Sequence, residues 1–209
     1  MARENSPPGL VLASASARRL KLLRQIGLQP HLVIAAEIDE TPWRNETPPQ
    51  LARRLAQSKM AQVHGQAPGN YVLGADTVVA VGRRILPKPI DNEEARRCLE
   101  LLSGRRHHVY TAVAATAPEG PERMRLVDSV VAFKRLTTGE IEWYLANDEW
   151  CGKAGGYAIQ GRAARFVRFL RGSYSNVVGL PLFETANLLE GLGYPVLGGA
   201  SFAQVARSE

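Results

Sequence analysis

Tyr71-Val72-Leu73-Gly74-Ala75-Asp76-Thr77-Val78-Val79-Ala80-Val81 reads as a single strand. It is apolar almost throughout, so both of its faces should be covered, as in the middle of a sheet with helices on each side. Asp76 breaks the run. A carboxylate among Val and Ala carries an effective penalty on the order of several kcal/mol unless it is paired or holds a metal, and Asp is a poor strand former. Three readings stay open: a metal ligand, a general base, or a strand-end Asp in a buried ion pair.

Working outward, Leu10–Ala13 is a short apolar strand. Residues 18–26 read as a helix, with Leu20, Leu23 and Ile26 on one stripe and Gly27 as its stop. Residues 31–36 predict a strand. Thr47-Pro48-Pro49-Gln50 opens a second helix through a capping box with Pro at its first position, running to about Val63 and ending at Gly65. Asp91-Asn92-Glu93-Glu94 reads as another capping box and opens a third, which stops at Ser103-Gly104. Residues 109–116 and 126–133 predict an antiparallel pair joined by a turn around residues 118–121. Thr137 starts a helix carrying Ile141, Tyr144 and Leu145. Residues 162–171 fit helix and strand equally, and residues 181–192 close with an amphipathic helix. Helices and strands intermixed along one chain predict an α/β fold with a mixed sheet. Residues 1–9 and 199–209 read as flexible tails.

The whole-chain numbers agree. At 209 residues there is room for one large domain. The hydrophobic fraction of 45% and charged fraction of 22% exclude wholesale disorder, a collagen repeat and a coiled coil. No apolar run reaches the ~18 residues of a membrane span, and the N-terminal stretch lacks the apolar core of a secretory signal. Two cysteines, Cys98 and Cys151, neither in a CxxC pair, argue against a disulfide framework or a zinc site and suit a reducing cytoplasm. The net charge of +6 favours anionic partners.

Four further places depart from ordinary packing rules. Ser14-Ala15-Ser16-Ala17-Arg18-Arg19 puts two cations in a first helical turn, which the macrodipole disfavours unless an anion binds there; exposed arginines behind a capping serine are the bland alternative. Lys59 follows Leu51 and Leu55 at helical spacing, on or near the apolar stripe, where a snorkelling lysine is the ordinary account. Pro87 and Pro89 bracket Lys88 and stiffen it. Asp39-Glu40 follows a strand end, where α/β proteins place ligand-facing groups, although such a pair is also a common solvated loop. Carboxylates for a divalent cation together with Lys and Arg for a polyanion are the minimum set for metal-assisted attack on a phosphoanhydride.

These residues lie within an ordered series: Leu12-Ala13-Ser14-Ala15-Ser16-Ala17-Arg18-Arg19, Gly74-Ala75-Asp76-Thr77-Val78-Val79, Lys88-Pro89, Leu102-Ser103-Gly104 with His107, Val109 and Thr111-Ala112-Val113, Lys153-Ala154-Gly155-Gly156-Tyr157-Ala158-Ile159-Gln160-Gly161, and Ser173-Tyr174 with Val177-Val178-Gly179-Leu180-Pro181. The series resembles the Maf family of nucleoside triphosphate pyrophosphatases over nearly the whole chain. Ala17 stands where that family usually has proline, and Asp39 where some relatives have Glu. The resemblance implies an α/β fold of two lobes around a central cleft (Maf/ITPase-like), a single catalytic domain over residues 10–195, and often a homodimer. It implies hydrolysis between the α and β phosphates, giving monophosphate and pyrophosphate. Asp76 becomes the proton acceptor. Asp39, Glu40 and Asp76 become the ligands of Mg²⁺ or Mn²⁺. Ser14, Arg18, Arg19, Lys59 and Lys88 become triphosphate contacts, and Arg18, Thr77 and Gln160 specificity positions.

Gln160 bears on the base. A glutamine amide can take N3–H of uracil or thymine and give to a carbonyl, whereas two adjacent guanine donors suit Glu. The branch resembling this chain with Gln acts on dTTP and UTP; another, with Glu, acts on 7-methyl-GTP. Two other classes fit part of the pattern. A nucleic-acid or division-protein regulator without turnover fits the basic charge, but no stacking motif or zinc knuckle is present. A haloacid-dehalogenase-type phosphatase needs DxDxT, and Gly74 occupies the first aspartate's place.

Overall fold

The structure is a computed structural model and describes residues 8–197. The expected tails lie outside the described residues except for Pro8 and Gly9. The strands are β1 (Leu10–Ala13), β2 (Leu32–Ile34), β3 (Tyr71–Val81), β4 (Arg84–Leu86), β5 (Arg106–Thr116), β6 (Arg123–Phe133) and β7 (Val167–Arg171). They form one mixed sheet in the order β2-β1-β3-β5-β6-β7, with β4 also paired to β3. β1 runs parallel to β2 and β3, and the remaining pairs are antiparallel.

One feature of this pairing opens the sheet beside β3. β1 accompanies β3 only from Leu10↔Tyr71 to Ala13↔Gly74, and β4 joins it only from Val79 onward. Residues 75–78 therefore pair with β5 alone. Asp76 and Thr77 sit on the rim of this opening.

The helices are α1 (Ala17–Gln25), α2 (Pro48–Gln66), α3 (Asn92–Leu102), α4 (Thr138–Leu145), α5 (Tyr174–Val178) and α6 (Leu182–Glu190). The capping boxes at Thr47/Gln50 and Thr137/Glu140 both form, and Asp91 caps α3 by accepting from Glu94 N. Side chains alternate across β3 as a strand requires. Leu73, Ala75 and Val79 face a core shared with α1, α3, α4 and α6, while Val72 and Val78 face a second core under α2. Each fully buried Leu, Met or Phe in these cores contributes roughly 1.5–3 kcal/mol of burial free energy.

Gly74 sets the height of α2. A Cβ there would stand 2.7 Å from Ala56 O and 2.8 Å from Met60 N, so only glycine admits the helix this close. The approach brings Lys59, next to Met60, down onto the strand at Asp76.

Several boundaries differ from the sequence reading. β2 keeps only three residues of the expected six, because Leu32 and Val33 lie on an exposed sheet edge with little burial to extend the strand. α2 runs through Gly65 to Gln66. Residues 162–171 adopt both proposed forms in succession, a 3₁₀ turn over Arg162–Phe166 and then β7. Among the described residues no helix is long and apolar enough to cross a membrane.

Candidate active site

Asp76 points to the α2 side of the opening and is 3% exposed. Lys59 is also buried, and its Nζ lies 2.6 Å from Asp76 Oδ1 and 2.5 Å from Glu40 Oε1. Lys88, held between its two prolines, contacts the other Glu40 oxygen. Two acids and two ammonium groups thus close a compensated quartet, which is what lets a carboxylate persist in that strand. Burial pushes the Glu40 carboxyl up, but hydrogen bonds and charge from Lys59 and Lys88 outweigh it and hold it at about 2. Lys59 is therefore an ion-pair partner at the rim, not a snorkelling lysine.

Asp39 does not join this group. It is exposed, and its Oδ1 accepts from Thr41 N at 2.9 Å. Exposure alternates from residue 35 to residue 40, so of two adjacent acids only Glu40 turns inward. The expected three-carboxylate set is corrected to two, and among the described residues no cluster of three His, Cys, Asp or Glu side chains could hold a metal. Glu40 and Asp76 nonetheless converge on one ammonium, the spacing at which two carboxylates can share a cation. A hard divalent ion that keeps waters and takes further oxygens from a phosphorylated ligand needs no more than one or two protein carboxylates. The donor set fits such an ion.

On the other face of β3 the organiser is Arg19. Its Nε donates to Gly179 O at 2.8 Å, Nη1 to Ser14 Oγ at 3.1 Å and Nη2 to Thr77 Oγ1 at 3.2 Å. Three of its five donors are taken by the protein, leaving two. Burial lowers its pKa, and Asp76 nearby raises it. Ser14 Oγ accepts from Arg19 and from Ser16 N at 3.2 Å. Both of its lone pairs are used, so its proton is free for an acceptor such as a phosphate oxygen.

Two cavities meet at the opening and share Asp76, Thr77, Lys88 and Ala154. One, of about 120 Å³, is strongly basic: Arg18, Arg19, Lys59, Lys88 and Lys153 line it together with Gln160. The other, of about 450 Å³, is walled by Leu51, Leu55, Val78, Ile85 and Pro87 beside Glu40. Gln160 reaches the basic cavity because the chain turns sharply at Gly155 and Gly156, with φ of 70° and 68° that L side chains rarely adopt. Gly155 N donates to Pro87 O at 2.8 Å, tying this turn to the Lys88 segment. The structure thus brings together Ser14, Arg18, Arg19, Glu40, Lys59, Asp76, Thr77, Lys88 and Gln160, and leaves Asp39 out.

Three contributors had no role in the sequence reading. Lys153 lines the basic cavity. His107, fully buried, sits 2.8 Å from the hydroxyl of Tyr157 behind the cavity wall. Thr111 lies 3.0 Å from Thr77 on the neighbouring strand. The two β5 residues stand in an ordered motif of the sequence, but only strand pairing reveals what they face.

The family model for Maf-like proteins matches residues 9–192. The chain belongs to the Maf-like family. Among its Maf-like relatives, a dTTP/UTP pyrophosphatase of Paramagnetospirillum magneticum is 60% identical over 185 residues, covering 88% of this chain and 97% of the relative. A dTTP/UTP pyrophosphatase of Caulobacter vibrioides is 58% identical over 187 residues, covering 90% and 97%. A solved nucleoside-triphosphatase / dITP/XTP pyrophosphatase of Mycobacterium abscessus is 18% identical, with a TM-score of 0.41 over 61% of this Maf-like chain and 75% of that one.

Proposed function

We propose that this Maf-like chain is a nucleoside triphosphate pyrophosphatase acting on dTTP and UTP. Water attacks the α-phosphorus, the bond from that phosphorus to the α–β bridging oxygen breaks, and the nucleoside monophosphate and pyrophosphate leave. The observation that carries this reading is Asp76: one buried carboxylate at an opening in the sheet, surrounded by cations that exceed the acids present. The identity to relatives named for this activity supports the choice of substrate.

The residues divide the work. Arg18, Lys59 and Lys88 neutralise the triphosphate, and Ser14 donates its spare proton to a phosphate oxygen. Arg19, held by three protein partners, supplies fixed charge and keeps two N–H groups for the ligand. When phosphate draws Lys59 away, Asp76 is left to accept the proton of the attacking water. Glu40 and Asp76 would hold Mg²⁺ or Mn²⁺, which screens phosphate charge. Gln160, with Thr77 and Arg18, reads the base. Residues 10–195 act as one catalytic domain, in the cytoplasm and as a homodimer.

Product analysis across a nucleotide panel tests the reading. Pyrophosphate and monophosphate should appear from dTTP and UTP in preference to 7-methyl-GTP, ATP or GTP. Asp76→Asn should lower kcat at least ~100-fold while nucleotide affinity stays within a few-fold. Inorganic phosphate as first product, a preference for 7-methyl-GTP, or salt-sensitive nucleic-acid binding without turnover would each overturn it.

A further inference from the structure

A single hydrogen-bonded file runs from the cavity into the core. Arg19 Nη2 lies 3.2 Å from Thr77 Oγ1, Thr77 Oγ1 lies 3.0 Å from Thr111 Oγ1, and Thr111 Oγ1 lies 3.0 Å from the carbonyl oxygen of Asn176. The direction of each bond follows from the protons available. A carbonyl only accepts and a guanidinium only donates. The one hydroxyl proton of Thr111 therefore goes to Asn176. Thr77 must give its own proton to Thr111, and one of its lone pairs takes the Arg19 N–H. What Thr77 keeps for a ligand is one lone pair and no proton.

The inner end of the file cannot turn to relieve this. Thr111 and Asn176 are both fully buried. The Asn176 amide donates to Val109 O and to Ser129 Oγ, each at 2.9 Å, which fixes α5 against β5 and β6 and aims the Asn176 carbonyl. Thr77, at the outer end, lines both cavities. Ser14, on the same guanidinium, is wired the opposite way, with both lone pairs filled and its proton spare. Arg19 thus separates a hydroxyl that can only donate, suited to phosphate, from one that can only accept.

We propose that Thr111 is a positioning residue that makes Thr77 an obligate acceptor, so that the site selects a base presenting an N–H over one presenting a lone pair. Uracil and thymine carry N3–H where cytosine carries a bare N3. The inference rests on the pyrophosphatase reading above and adds to it the residue that sets the discrimination.

The test is the ratio of kcat/KM for UTP to that for CTP. Thr111→Val removes the acceptor, frees the Thr77 proton to turn into the cavity, and should lower the ratio about tenfold or more. Thr111→Ser keeps the wiring and should keep the ratio. A purely structural role for Thr111 would weaken both substrates together and leave the ratio alone, so an unchanged ratio in a folded Thr111→Val enzyme overturns the proposal. Should that variant not fold, Thr111→Ala carries the same expectation. In the wild type, N3-methyl-UTP offers no N–H and should lose about tenfold or more in kcat/KM; turnover equal to UTP overturns the proposal. Absence of pyrophosphate release from every nucleotide would instead remove the reading of the reaction, and this proposal with it.

Discussion

The Lys59 ammonium and the Asp76 carboxylate lie 2.6 Å apart with more than nine-tenths of each side chain out of solvent, and the partnership is unequal. Lys59 also holds Glu40, whereas Asp76 has no second ion-pair partner among the described residues. Lys59→Met should therefore leave a buried uncompensated charge and destabilise the fold by about 3–5 kcal/mol. Asp76→Asn leaves Lys59 paired to Glu40 and should be clearly milder. Urea unfolding of both variants measures the difference, and equal losses would contradict the asymmetry.

Gly74 predicts a link between packing and rate. The Cβ of Gly74→Ala would meet backbone atoms of α2 at 2.7 and 2.8 Å, which no rotamer change relieves. The helix must lift, at about 1–3 kcal/mol, and Lys59 lifts with it. A lower thermal midpoint with a fall in kcat is expected; a stability loss with full activity would show that Lys59 position is unimportant.

How much of this was readable from the chain depends on the residue. β3 was legible over its full length because an apolar run broken by one acid has few structural accounts, and Asp76 was legible for the same reason. Capped helices were legible from Thr47, Asp91 and Thr137, whose side-chain bonds are local. β4 was not: three residues beginning with Arg84 carry no periodicity, and only pairing with β3 makes them a strand. Asp39 and Glu40 look equivalent as neighbours, and only the course of the chain after β2 turns one inward. Thr111 and Asn176 are 65 residues apart, and nothing local tells that they share a proton.

His107 gives the fold an acid sensitivity. Burial, with a smaller contribution from His108, holds its imidazole at about 3 against 6.5 for the free side chain. As pH falls below 6.5 the unfolded chain binds a proton that the native state refuses, so stability is lost from 6.5 down towards 3. His107→Gln abolishes this titration. The stability advantage of wild type over that variant should shrink between about pH 7 and 4, as read by urea midpoints; a constant difference would show that His107 titrates alike in both states.

Gln160 decides which acceptors the base must offer. Gln160→Glu removes both amide donors at the basic cavity and leaves only acceptors. The kcat/KM for UTP should drop about tenfold or more, while 7-methyl-GTP gains relative to UTP. Competition between the two nucleotides measures this directly, and an unaltered preference would move base reading elsewhere.

The four-residue strand β1 stops just short of closing the sheet. Four more residues of pairing would zip it along β3 to Val78, satisfy the bare edge and make a sturdier protein with nothing left to do. Selection for robustness and selection for turnover thus oppose each other over the length of one short strand. Those amides of residues 75–78 that face the open edge and not β5, in the middle of the most hydrophobic segment, would be among the first to trade hydrogen with solvent whenever the cleft stands empty.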